Sequence, residues 1–165
     1  MTDTPSPMSP QDERIMAALS HISVLLPFIG TLAPILIWVT QKEKSRYVAF
    51  QSLQALAFQL SMIIAYALGM GCYMCSFFGN FLSIFFLSSE GYSPYGEILG
   101  GSLFFIPFLV MGLIGLGAII YFVYGVIGAI MAFQGKPFRY IIIGRRVERY
   151  MQKKQDNSAA EKVNG

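Results

Sequence analysis

Charge along this chain is confined to short stretches. Between them run three apolar segments without Asp, Glu, Lys or Arg: residues 15–41, 47–89 and 98–135, which are 27, 43 and 38 positions long. An ionised side chain at the bilayer centre costs about 2.5–3.5 kcal/mol on insertion scales, so lipid selects such runs. A crossing helix needs roughly 20 mainly apolar residues, and each run exceeds that. The pattern predicts an all-α integral membrane protein. Its expected form is a compact bundle of about three transmembrane helices, the first broken by Pro and Gly, with a basic amphipathic C-terminal segment.

Residues 11–26 read as a helix with Asp12 and Glu13 in its first turn, where the helix dipole favours acids. Pro27 and Gly30 break it, and residues 32–40 resume it around Pro34. The favoured form is a single crossing kinked in two halves, with freed backbone groups finding partners in protein. The alternative is a short re-entrant hairpin that leaves Asp12 and Lys42 on the same side. The second run is too long for one ordinary crossing. A helix from Tyr47 to about Tyr73 then either projects outward or gives way to an interfacial apolar piece over residues 77–87, rich in Phe. Residues 88–97 read as a polar turn-rich loop. Small residues recur every four positions, as Ala57, Ser61, Ala65 and Gly69 and as Ala67, Gly71, Cys75 and Gly79. Such spacing predicts close packing of helix backbones within the bundle, or a homodimer seam. Gly125 with Ala129 and Gly128 with Ala132 repeat it in the third run.

The apolar fraction of 55% and charged fraction of 13% exclude an ordinary soluble domain, in which about 25% of residues are charged. Lys and Arg number one before residue 15, three in the first loop, none in the second and eight after residue 135. Positive-inside counting puts the first loop and the C-terminal tail in the cytoplasm of an inner-membrane protein, and three crossings then leave the N-terminus outside. The domain plan is a disordered tail over 1–10, a transmembrane domain over 11–137, a basic amphipathic segment over 138–154 and a disordered tail over 155–165. In the basic segment Arg139, Arg145, Arg146, Arg149, Lys153 and Lys154 alternate with apolar residues. It suits the anionic lipids of the inner leaflet rather than nucleic acid. The N-terminal stretch has no basic segment before an apolar core and no small-residue cleavage site, so no cleavable signal is expected.

Chemistry-bearing residues are few. No carboxylate lies inside the runs, and His21 is the single histidine, so no catalytic, cofactor or metal site is expected. Cys72 and Cys75 form a lone C-x-x-C that reads as packing rather than ligation. The intramembrane polar residues are His21, Gln51, Gln54, Gln59 and Asn80. They bond between helices or, as the sharper alternative, line a passage.

The stretches AALSHISVLLPFIG, APILIWVTQKEKSRYVAFQSLQALAFQ and AFQGKPFRYIIIG resemble the small bacterial membrane family of unknown function 4870. That family is related to the twenty-kilodalton subunit of the chloroplast Tic import apparatus. The resemblance covers residues 14–146. It rests most on the loop of Lys42, Glu43, Lys44, Ser45, Arg46, Tyr47 and Phe50, and on Gly135-Lys136-Pro137. Two positions depart from it: Gln51 stands where a histidine or asparagine is common, and Ile141 where a proline often follows the aromatic. The resemblance implies a Tic-like bundle, with a conducting or translocating role as one reading. The leading reading is a non-enzymatic membrane protein, structural or accessory to a membrane complex. A membrane-protein partner or a homo-oligomer fits either reading.

Overall fold

In the computed structural model of the chain the described residues are 8–26, 28–89, 94–136, 138–141 and 143–164. They form five α-helices and no strand: α1 (Pro10–Ile22), α2 (Leu32–Gln41), α3 (Arg46–Ser89), α4 (Pro94–Phe133) and α5 (Ile143–Asn164). Helix α1 starts where local chemistry dictates. The Ser9 hydroxyl accepts the Asp12 amide at 3.2 Å, Pro10 occupies the first turn, and Asp12 and Glu13 sit at the positive end of the dipole. Ser45 plays the same part for α3, its hydroxyl accepting the Val48 amide at 3.3 Å. Gly135 ends α4 with φ of 71°. Its amide donates to the Ala132 carbonyl and the Lys136 amide to the Met131 carbonyl, both at 3.0 Å, a Schellman closure that needs a left-handed residue.

The first apolar run is not a crossing in two halves. Helices α1 and α2 pack against each other on either side of two 3-10 turns, Ser23–Leu25 and Ile29–Thr31. The Gly30 amide donates to the Leu26 carbonyl at 2.7 Å, and a Cβ on Gly30 would strike the Ser23 carbonyl, so only glycine lets the turn close. Phe28, at φ 64°, carries the strain of this reversal. The hairpin tip presents Leu25, Leu26, Phe28, Ile29 and Leu32 outward, each at least half exposed. The expected three transmembrane helices therefore become two long apolar helices and a short hairpin. At 13 and 10 residues, the hairpin arms are too short to cross singly.

The described residues contain two helical stretches long and apolar enough to cross a membrane, Arg46–Phe86 and Phe104–Phe133. Only 11% and 6% of their most apolar windows are buried, whereas a soluble protein's core helix would be largely covered. At 44 residues α3 is continuous and about 66 Å long, so no separate interfacial piece interrupts it at residues 77–87. Of the expected loop over 88–97, Ser88 and Ser89 belong to α3 and residues 94–97 to α4, while 90–93 lie outside the described residues. Helix α5 starts at Ile143 rather than at 139, and residues 155–164, expected as a disordered tail, continue it. Their Ala, Lys, Glu and Gln content favours helix even with little to bury. The N-terminal disorder expected over residues 1–7 falls outside the described residues.

The chain divides into two units, one of residues 1–61 with 122–165 and one of residues 62–121. Within the second unit Gly69 meets Ile114, but a Cβ at Gly71, Gly79, Gly112, Gly115 or Gly117 would touch nothing. The small-residue stripe through Gly71 is thus not a seam inside the unit. The close approaches are in the first unit. There a Cβ on Gly125 would lie 2.6 Å from Val24 and one on Gly128 2.9 Å from Phe138.

Candidate functional site

The core of the first unit is polar. His21, Gln51, Gln54, Ser20 and Ser52 are each no more than 1% exposed, and Gln59 4%. They come from α1 and the first turns of α3, and the irregular segment after α4 completes the cluster. Gln54 holds that segment by its backbone, donating to the Phe138 carbonyl at 3.2 Å and accepting the Tyr140 amide at 3.1 Å. Gln51 reaches the same carbonyl at a longer 3.4 Å. The Gln51 carbonyl oxygen can only accept, so His21 Nε2 carries the proton across their 3.1 Å contact. His21 Nδ1 then accepts from the Tyr140 hydroxyl at 3.0 Å. A neutral imidazole with both nitrogens bonded is what a desolvated site requires.

Ser20 and Ser52 touch at 3.0 Å, each also bonding its own helix, which brings α1 and α3 close. Gln59 donates at 2.9 Å to the Ser23 hydroxyl, which donates to the Ser20 carbonyl and so fastens the hairpin turn. Tyr140 also stacks on Phe58, with centroids 4.1 Å apart, and meets Tyr124 and Phe138 edge-on. The cluster is a clasp: α1, α3 and α4 each lend side chains to it, and the non-helical backbone at 138–140 is the part clasped.

Four of the five intramembrane polar residues named from sequence thus meet in one network. Asn80 belongs to the second unit and is half-buried there. The three glutamines bond to His21, to Ser23 and to the 138–140 backbone within this network. Sequence reasoning missed Ser20, Ser23, Ser52 and Tyr140. It placed both Phe138 and Tyr140 within the basic lipid-surface segment over 138–154, but both are buried, at 5% and 3% exposure. The signal available was the close approach of Phe138 and His21 to Gly128, which no periodicity reveals.

The loop motif divides by role. Lys42, Glu43 and Lys44 are exposed, with the Lys42 ammonium 5.8 Å from the Trp38 ring centroid. Ser45 is the buried cap already described. Tyr47 donates to the Ala132 carbonyl at 3.2 Å, tying the start of α3 to the end of α4. Arg14 packs over Gly135, bringing the start of α1 to that same end. Arg139, Arg145, Arg146, Arg149 and Lys153 are exposed, while the side chain of Lys154 lies outside those described. Arg139 pairs with Glu148 through two contacts, 3.2 and 3.3 Å. Arg46, Tyr47, Phe50, Arg139, Glu148 and Met151 line an open cavity of about 320 Å³. No group of three or more metal-ligating side chains occurs among the described residues. Cys72 and Cys75 are exposed free thiols.

The model of the MamF/MmsF family, the magnetosome magnetite crystal formation protein family, matches residues 12–147. The chain belongs to that family. This corrects the resemblance to the family of unknown function 4870 and to the Tic subunit, and with it the translocating role that the resemblance implied. In this chain the quoted stretches carry the Ser45 cap, the hairpin and the helix end at Gly135, which are features of a fold rather than of an activity. No curated protein and no solved structure matches the chain.

Proposed function

We propose that this member of the magnetosome magnetite crystal formation family is a non-enzymatic membrane component that acts in crystal formation as a structural or accessory part of a larger assembly. Family membership carries the reading. The clasp supports it, because its polar groups are spent on one another and hold backbone in place rather than facing a substrate. The experiment is deletion of the gene in a magnetite-forming host, with crystals sized by electron microscopy and the membrane fraction probed for the protein. Altered crystal size or shape, restored by the wild-type gene, is expected. Unchanged crystals would overturn the reading.

The same reading gives a topology. Arg14, the loop at Lys42–Ser45 and the closure at Gly135 are gathered at one end of the first unit. That end carries nearly all the basic residues, and the positive-inside rule assigns it to the cytoplasm. The N-terminus then joins the C-terminus inside, α3 and α4 cross, and the apolar hairpin tip dips into the cytoplasmic leaflet. In a background lacking Cys72 and Cys75, single cysteines at Gln11, Lys44 and Lys136 should all resist a membrane-impermeant thiol reagent applied to intact cells. Labelling of the Gln11→Cys protein from outside would restore a through-crossing first segment.

A further inference from the structure

The clasp leaves one cavity in the first unit unexplained. It opens between the start of α3 and the start of α5, and its six lining residues are three charged and three largely apolar. Arg46 and Arg139 supply two positive charges and Glu148 one negative. Tyr47, Phe50 and Met151 supply the apolar wall. Arg139 meets both oxygens of the Glu148 carboxylate in a two-point, solvent-exposed pair. Arg46, by contrast, makes no ion pair among the described residues and is exposed. We propose that this cavity binds the phosphodiester group of one anionic phospholipid, with the glycerol and upper acyl chain lying against Phe50 and Met151.

Three observations select this occupant. Arg46 is the first residue of a stretch apolar enough to cross a membrane, so the cavity lies at the polar end of that stretch. The two arginines and Glu148 sum to one positive charge, which a phosphodiester monoanion neutralises. A dianionic phosphomonoester would overfill it. The lining also joins guanidinium forks to apolar surface, the combination that a lipid offers and free phosphate does not. The exposed basic residues of α5 outside the cavity, Arg145 and Arg149, attract the leaflet generally. The cavity adds one stoichiometric site. This proposal rests on the membrane placement and not on a role in crystal formation.

The test uses the full chain, purified in mild detergent with a mixture of phosphatidylglycerol and phosphatidylcholine, and native mass spectrometry to count the lipids retained. Wild-type protein is expected to keep one phosphatidylglycerol as others are stripped away. Arg46→Gln should lower that retention about tenfold, the loss of one charge-assisted contact. Arg46→Lys should recover part of it, because the charge remains and the fork does not. Arg145→Gln with Arg149→Gln should leave it unchanged. Equal loss in that double variant would make the binding a diffuse surface effect and overturn the site. So would equal retention of phosphatidylcholine, or no loss in Arg46→Gln. Displacement by millimolar inorganic phosphate would make it a free-phosphate site instead. Thermal melting accompanies each variant, and Arg139→Gln replaces Arg46→Gln if the latter unfolds. Crystal size is not read in this experiment, so its failure leaves the family reading standing.

Discussion

Gln54→Leu should destabilise the first unit by about 3 kcal/mol, since each buried polar group left unpaired costs about 1–3 kcal/mol and this change strips one of its partner and leaves a second weakly bonded. The Tyr140 amide would lose its acceptor, and the Phe138 carbonyl would keep only the long contact from Gln51. Leucine matches glutamine in size, so packing is preserved and the loss isolates the polar term. Hydrogen bonds between side chains of membrane helices average about 0.6 kcal/mol, because the separated helices find other partners. The larger figure is expected here because irregular backbone, unlike a helix, has no internal partners to fall back on. Melting of the detergent-solubilised protein, followed by far-ultraviolet circular dichroism, reads the effect. A Gln54→Leu protein that melts with the wild type would mean that the 138–140 backbone is not held by this side chain.

Gly128→Leu is the second large effect, and its sign is steric. Even the first carbon of the new side chain would lie 2.9 Å from the Phe138 ring and 3.2 Å from His21 Nδ1. Overpacking a filled core typically costs about 1–3 kcal/mol, and here it would also pry His21 from Tyr140. Gly71→Leu is the matched control. It adds the same bulk where a Cβ meets nothing, and should leave melting unchanged. Leucine is a better helix former than glycine, so equal destabilisation by the two would show that added bulk costs stability wherever it is placed, and not through the clasp.

The contrast between those glycines marks how far the sequence could be read. Both lie in small-x-x-x-small patterns, and the pattern alone cannot say which face meets a neighbour. The apolar runs and helix types were legible because lipid imposes a coarse, one-dimensional rule on composition. Local signals also read correctly: the acids opening α1 and the break before α2, where Gly30 lies in a 3-10 turn. The hairpin was harder. Whether a broken helix continues or turns back depends on the Ser23 carbonyl accepting a glycine beneath it, a contact decided in three dimensions. The polar cluster was half legible. His21, Gln51, Gln54 and Gln59 stood out against an apolar background, whereas Ser20, Ser23 and Ser52 did not, because serine is common in such helices. Tyr140 was hidden by its neighbours: Arg139 and the arginines after it made the whole stretch look like a surface helix. The family itself was misread, since the quoted stretches carry caps and turns of a fold and not a mark of one family.

The partners of the clasp are made at very different times. His21 is separated from Tyr140 by 119 positions, and Gln54 from that tyrosine's amide by 86. During synthesis the hairpin and the start of α3 leave the ribosome long before the segment that satisfies them. Until then His21 lacks its Tyr140 partner, and Gln51 and Gln54 lack the Phe138 carbonyl. The first unit is therefore begun by the earliest part of the nascent chain and finished by nearly the last. A chain interrupted before residue 138 carries both long helices and still lacks the one piece of backbone that closes its beginning.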